Sequence, residues 1–259
     1  MYNGAIGMTY EQGGSCRAGL CIRTAEDDVL TLKDRIAHHY TTGLSTIEMA
    51  SLNAEKLQQE FVTYFNKAAT SPKGKYKSYV ISGNNSKDKI NSLKNLLKKH
   101  QIQYGMAISN ASVRAFDYQS NSTKSVRFSS KDMVINTNQP KSNFINALFE
   151  PQTKIADSLT YDITAWALPY AYGLDAYAST QRFRGDVDYE VSAEPTSSLA
   201  ASAKSYALLA RWNSVNDAAF LSELLTNGMQ VRYSKNAFTN GENSFDAGTL
   251  IISRADNHH

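Results

Sequence analysis

Cysteine is nearly absent from this chain, with two among 259 residues, Cys16 and Cys21, both near the start. No C-x-x-C pair occurs, which leaves a cysteine-based zinc site without support. The two thiols read either as a short disulfide of an exported protein or as small buried residues under a strand. The apolar character of free cysteine favours the second. Histidine is also scarce, with five in all. His38, His39 and His100 are followed at the third position by Thr41, Thr42 and Gln103, and His258 and His259 end the chain. Neither H-x-x-E nor H-E-x-x-H is therefore present, although a hydrolytic zinc site needs about three protein ligands and an open position. His38 and His39 are neighbours on a helical stretch, so their rings diverge and do not clasp one ion together. There is no G-x-S-x-G, which removes the serine elbow, and no cysteine after Cys21 to act as a nucleophile. No apolar run is long enough to span a bilayer, and the first residues lack the basic region of a signal peptide. Lys and Arg (27) nearly balance Asp and Glu (24), so no nucleic-acid footprint is expected.

The opening stretch, residues 4–14, is the most informative. Small, apolar and β-prone residues run into Glu11 and then Gly13-Gly14. This reads as a buried strand that carries a carboxylate at its end, with a sharp turn after it. Strand ends are where open α/β sheets gather catalytic groups, and a carboxylate held there suits a general base. A chain that begins on such a strand, with no earlier sheet to pair it, reads as a fragment or truncated gene product.

From Thr31 the spacing becomes helical, with Leu32, Ile36, Tyr40, Leu44, Ile47, Ala50, Ala54, Leu57, Phe61 and Tyr64 at three- and four-residue steps. The acidic cluster Glu26-Asp27-Asp28 is placed at that helix's N-terminus, and Gly43 is where it bends or breaks. Residues 68–74, with Pro72 and Gly74, read as a linker. The next unit opens with a strand at 79–82, a helix that Ser86 caps and that buries Ile90, Leu93, Leu96 and Leu97, and a strand at 102–107. That is a β-α-β unit, expected to be parallel. Gly83-Asn84-Asn85 lacks the spacing of a phosphate loop. Short strands follow between 113 and 136, then a helix from Pro140 that buries Phe144, Ile145, Leu148 and Phe149. The aromatic stretch 161–173 reads as core or as the lining of a groove. The last third repeats the rhythm: a strand at 206–211, a helix that Asn216 caps, a stop at Gly228, and strands at 229–233 and 248–252.

Two stretches carry a family resemblance. Residues 2–14, with Arg17-Ala18-Gly19-Leu20, resemble the closing part of a bacterial zinc carboxypeptidase domain, whose T-[YF]-E strand delivers the catalytic glutamate. Residues 34–47 resemble the long helix that follows it. The resemblance implies that Thr9-Tyr10-Glu11 is that motif and that Glu11 is the general base. It also implies that zinc, in the full-length parent, polarises the scissile carbonyl and acidifies its water. The zinc ligands, the substrate-carboxylate arginine and the tyrosine of the family would lie before Met1, in a missing N-terminal part of the catalytic domain. No metal is therefore expected in this chain alone. Residues 138–166 and 245–249 resemble, in layout, the class I glutamine-amidotransferase-like domain that follows the peptidase domain in some such enzymes. The expected architecture is α/β: residues 1–72 as the end of a carboxypeptidase-type domain (strand plus long helix), and 73–259 as a flavodoxin-like, amidotransferase-like domain without a nucleophile. The implied function is peptide-bond hydrolysis by a secreted or periplasmic metallocarboxypeptidase acting on peptide or protein substrates. The other reading is a non-catalytic α/β binding module with an inactive peptidase remnant.

Overall fold

In the computed structural model, residues 2–11, 21–108, 112–152, 167–183, 187–188 and 205–257 are described. They fall into two compact units, one of residues 1–74 with 137–146, the other of residues 75–136 with 147–259.

The first unit holds the two-residue strands β1 (Ile22–Arg23) and β2 (Val29–Leu30) and the helices α1 (Leu32–Leu52) and α2 (Ala54–Thr70). β1 and β2 form an antiparallel hairpin. The acidic cluster lies in this hairpin's turn and not on the helix: Asp27, at φ 68°, accepts from Arg23 at 2.8 Å. The N-terminus of α1 is closed by Thr31, whose hydroxyl accepts from the Asp34 N–H while the Asp34 carboxylate accepts from the Thr31 N–H. That reciprocal pair satisfies two donors the first turn would otherwise leave open. Gly43 is fully helical, and the break falls ten residues later at Asn53, whose side-chain amide donates to the Met49 carbonyl.

The second unit holds β3 (Ser78–Ile81), α3 (Lys87–Lys99), β4 (Gly105–Ala107), β5 (Ser112–Asp117), β6 (Ser122–Arg127) and β7 (Met133–Asn136). After them come α4 (Ser142–Phe149), whose residues 142–146 belong to the first unit, α5 (Leu168–Ala171), β8 (Ala176–Ser179), β9 (Val187–Asp188), β10 (Ala207–Ala210), α6 (Val215–Thr226), β11 (Arg232–Tyr233), β12 (Phe238–Asn240), β13 (Asn243–Phe245) and β14 (Leu250–Ser253). Seven strands make one sheet in the order β6-β5-β8-β3-β7-β4-β9, and β10-β14-β11 make a smaller one. Every pairing among the described strands is antiparallel. The chain is thus mixed α/β, and the parallel pairing expected of the second domain is corrected. β3 and β4 do run the same way on either side of α3, but β7 enters between them, antiparallel to both.

The sheet's centre is buried on both faces, with all four residues of β3 and of β7 enclosed. Val80, Val134, Ala115, Phe128 and Phe183 pack together, while Tyr79 stacks on Phe149 with ring centres 5.3 Å apart. Leu93 and Leu97 of α3 are fully buried, as their spacing predicts. Ser78, Asn136 and Phe183 close a buried polar loop: the Ser78 hydroxyl donates to Asn136 Oδ1 at 2.6 Å, and Asn136 Nδ2 donates to the Phe183 carbonyl at 3.0 Å. Ser78 in turn accepts from the Phe183 N–H. Gly83 needs its missing side chain, since a Cβ there would lie 2.3 Å from the Lys131 carbonyl oxygen. Its N–H donates to Asp132, whose other oxygen accepts from the Ser129 N–H. Ser214, not Asn216, caps α6, in the same reciprocal arrangement with Asp217.

Candidate functional site

The opening segment does not form the buried strand expected. Residues 5–11 have no regular structure, and Ile6, Met8, Tyr10 and Glu11 are all exposed. Alternating apolar character alone is not enough for a strand, which also needs a partner for its N–H and C=O groups.

What fixes this segment is a set of contacts on α2 and on residues 137–146. Tyr2 stacks on Phe144 at 5.3 Å, and its carbonyl accepts from the Tyr64 hydroxyl. Lys141 donates to Asn3 Oδ1 at 2.6 Å and lies over the Phe65 ring. Gly4, at φ 83°, sits directly on the aromatic pair Phe61–Phe65, where a Cβ would come within 2.8 Å of the Phe61 ring. An L side chain at Gly4 meets both a forbidden backbone region and a clash. Beyond it, Ala5 and Ile6 line one side of an open groove of about 770 Å³, with Leu57, Phe61, Val62 and Tyr64 on the other. Glu60 is the one carboxylate of that lining.

Tyr10 and Glu11 sit farther along. The Tyr10 hydroxyl is 2.7 Å from Thr46 Oγ1 in the fourth turn of α1. The Thr46 hydroxyl also donates to the Thr42 carbonyl at 2.8 Å, and the Tyr10 hydroxyl also lies 3.4 Å from Met8 Sδ. The two stretches that carry the carboxypeptidase resemblance therefore touch. Glu11 follows immediately and is open to solvent, with no hydrogen bond or ion pair to another described residue. It is not part of the groove lining.

Among the described residues, no group of three or more His, Cys, Asp or Glu side chains is placed to hold a metal ion. His38 and His39 are exposed on α1, and neither is near enough to other donors to form such a group. Cys21 is exposed and free, not packed beneath a strand, while Cys16, Gly13, Gly14 and Arg17 lie outside the described residues.

The second unit holds two carboxylates in unusual surroundings that the sequence reading did not single out. Glu150, half-buried beside Tyr79 and Tyr118, is held above the ordinary carboxylate range by burial, partly offset by the Gln152 N–H and by Lys75. Around it Tyr118 packs on Tyr170 and Phe116, and the Tyr118 hydroxyl donates to the Phe149 carbonyl. Tyr79 and Tyr118 are themselves buried, which pushes their phenols far above the usual value. Tyr170, from the aromatic stretch, is half-buried here, and residues 161–166 of that stretch lie outside the described residues. Asp117, buried at the end of β5, is opposed by desolvation but is held below the ordinary range by Lys124 at 2.6 Å, the Ser120 hydroxyl and the N–H groups of Gln119 and Ser120. It fastens the β5–β6 turn.

No protein family model matches the chain, and neither does a curated protein or a solved structure.

Proposed function

We propose that this chain is part of a zinc-dependent metallocarboxypeptidase and contributes the general-base carboxylate, Glu11, to peptide-bond hydrolysis. The observation that carries the reading is the Tyr10–Thr46 contact, which joins the T-Y-E motif to the helix resembling the one that follows it in that family. An exposed carboxylate directly after an anchored tyrosine can reach a water and take its proton. The described residues form no metal-binding group, and the role assigned here is confined to proton transfer by Glu11. The second unit is read as an accessory α/β module, and the amidotransferase-like resemblance supplies no nucleophile to it.

The second reading is a non-catalytic interaction module. It is favoured by the apolar side chains that α1 leaves in solvent. Peptide assays on the protein isolated from its source cells separate the two readings. A carboxypeptidase removes the last residue of a peptide with a free C-terminal carboxylate and leaves the C-terminally amidated peptide intact. Absence of release from the free peptide contradicts the enzymatic reading.

A further inference from the structure

The contact side of α1 is polar and its outward side is apolar. Arg35 is 2% exposed, and Thr42 and Thr46 are half-buried, all three on one side of the helix. Leu32, Ile36, Tyr40, Leu44 and Ile47 occupy a sector of about 120° on another side. Ile36, Tyr40 and Ile47 are 60%, 67% and 68% exposed. An amphipathic helix normally turns its apolar stripe inward, and a contiguous exposed stripe marks an interaction surface. Gly43 lies within the same sector, and a Cβ built on it meets nothing within 4 Å. The stripe thus carries an open notch at Gly43 and a large ring at Tyr40, one turn earlier.

We propose that this stripe binds a second copy of the chain, with the two α1 helices antiparallel and centred between Thr41 and Thr42. In that register each Tyr40 ring fills the other copy's Gly43 notch, and each Ile36 meets the other copy's Ile47. Lys33 of each copy comes within reach of Glu48 of the other, so the ends match in charge as well as shape. The contact is isologous, as a two-fold dimer requires. The inference goes beyond the catalytic reading and is independent of the role of Glu11. A helix of 21 residues is about 31 Å long, and one helix pair covers less than the ~800 Å² per partner of a standard stable interface. The dimer is therefore weak and reversible.

Sedimentation velocity of the chain carrying Cys21→Ser, from about 1 to about 100 μM, tests this. The expected result is a mass that rises from one chain towards two. Tyr40→Asp and Gly43→Phe, both at solvent-open positions, should hold the chain monomeric with circular dichroism unchanged. Leu52→Asp, which is exposed but off the stripe, should leave the dimer intact. A monomer at every concentration overturns the proposal, as does a dimer that survives Tyr40→Asp and Gly43→Phe. Larger aggregates insensitive to those substitutions overturn it equally.

Discussion

Glu11 and Glu150 are carboxylates of opposite situation, and each leads to its own expectation. Glu150 has its pKa raised in the folded protein, because burial beside Tyr79 and Tyr118 disfavours the ionised form. The unfolded chain ionises first as pH rises, so the unfolded state gains at Glu150 from the ordinary carboxylate pKa upward, until the folded group ionises as well. Folding stability from this group is therefore greatest in acid and is reduced above the folded pKa. Glu150→Gln should raise the melting temperature at pH 7 and leave it nearly unchanged at pH 4; melting curves at the two pH values check this. An equal shift at both would mean that packing, not charge, sets the effect. Neither the burial of Glu150 nor its aromatic neighbours could be read from the sequence, since Tyr79 and Tyr118 are far from it along the chain. Glu11 was legible as a candidate through its motif. Its exposure was not, because the same alternation describes a buried strand and an unpaired extended segment.

The helices were the more legible elements. The three- and four-residue spacing from Thr31 onward gives α1 and α2, and Leu93 and Leu97 mark the buried side of α3. Helical spacing fixes which residues share a side; it does not say what that side meets. That is why the spacing marks the α1 stripe as one side of a helix but does not tell that it lies in solvent. Strand direction was less legible still. The runs in β3 and β7 are apolar without alternation, and such runs suit any strand buried on both faces. β8 passed unnoticed because Ala176–Ser179 is small and weakly apolar, yet it pairs with both β3 and β5. With so few apolar contacts, α1 depends on its cap. Thr31→Ala removes the side-chain acceptor for the Asp34 N–H, which typically costs about 1 kcal/mol. Hydrogen exchange should show faster exchange in the first turn of α1 while the β3 and β7 amides stay protected. Unchanged protection at Asp34 would show that the cap contributes little.

As a whole molecule, the chain combines a helical unit that carries the catalytic candidate and an antiparallel α/β unit whose buried centre is β3, β7 and β8. The α/β class and a change of character near Pro72 were visible in composition and punctuation. The inserted position of β7 was not, because it depends on pairings distant in sequence. The central claim is that Glu11 takes the proton during hydrolysis, and it rests on one side chain whose removal should not disturb either unit, since it is solvent-open. The direct measurement is turnover of an unblocked peptide by the protein from its source cells, compared with its Glu11→Gln form. The amide keeps the shape and removes the base, so turnover should fall about 10²-fold or more, with the melting temperature and the metal content unchanged. Near-normal turnover by the Glu11→Gln protein would contradict the assignment.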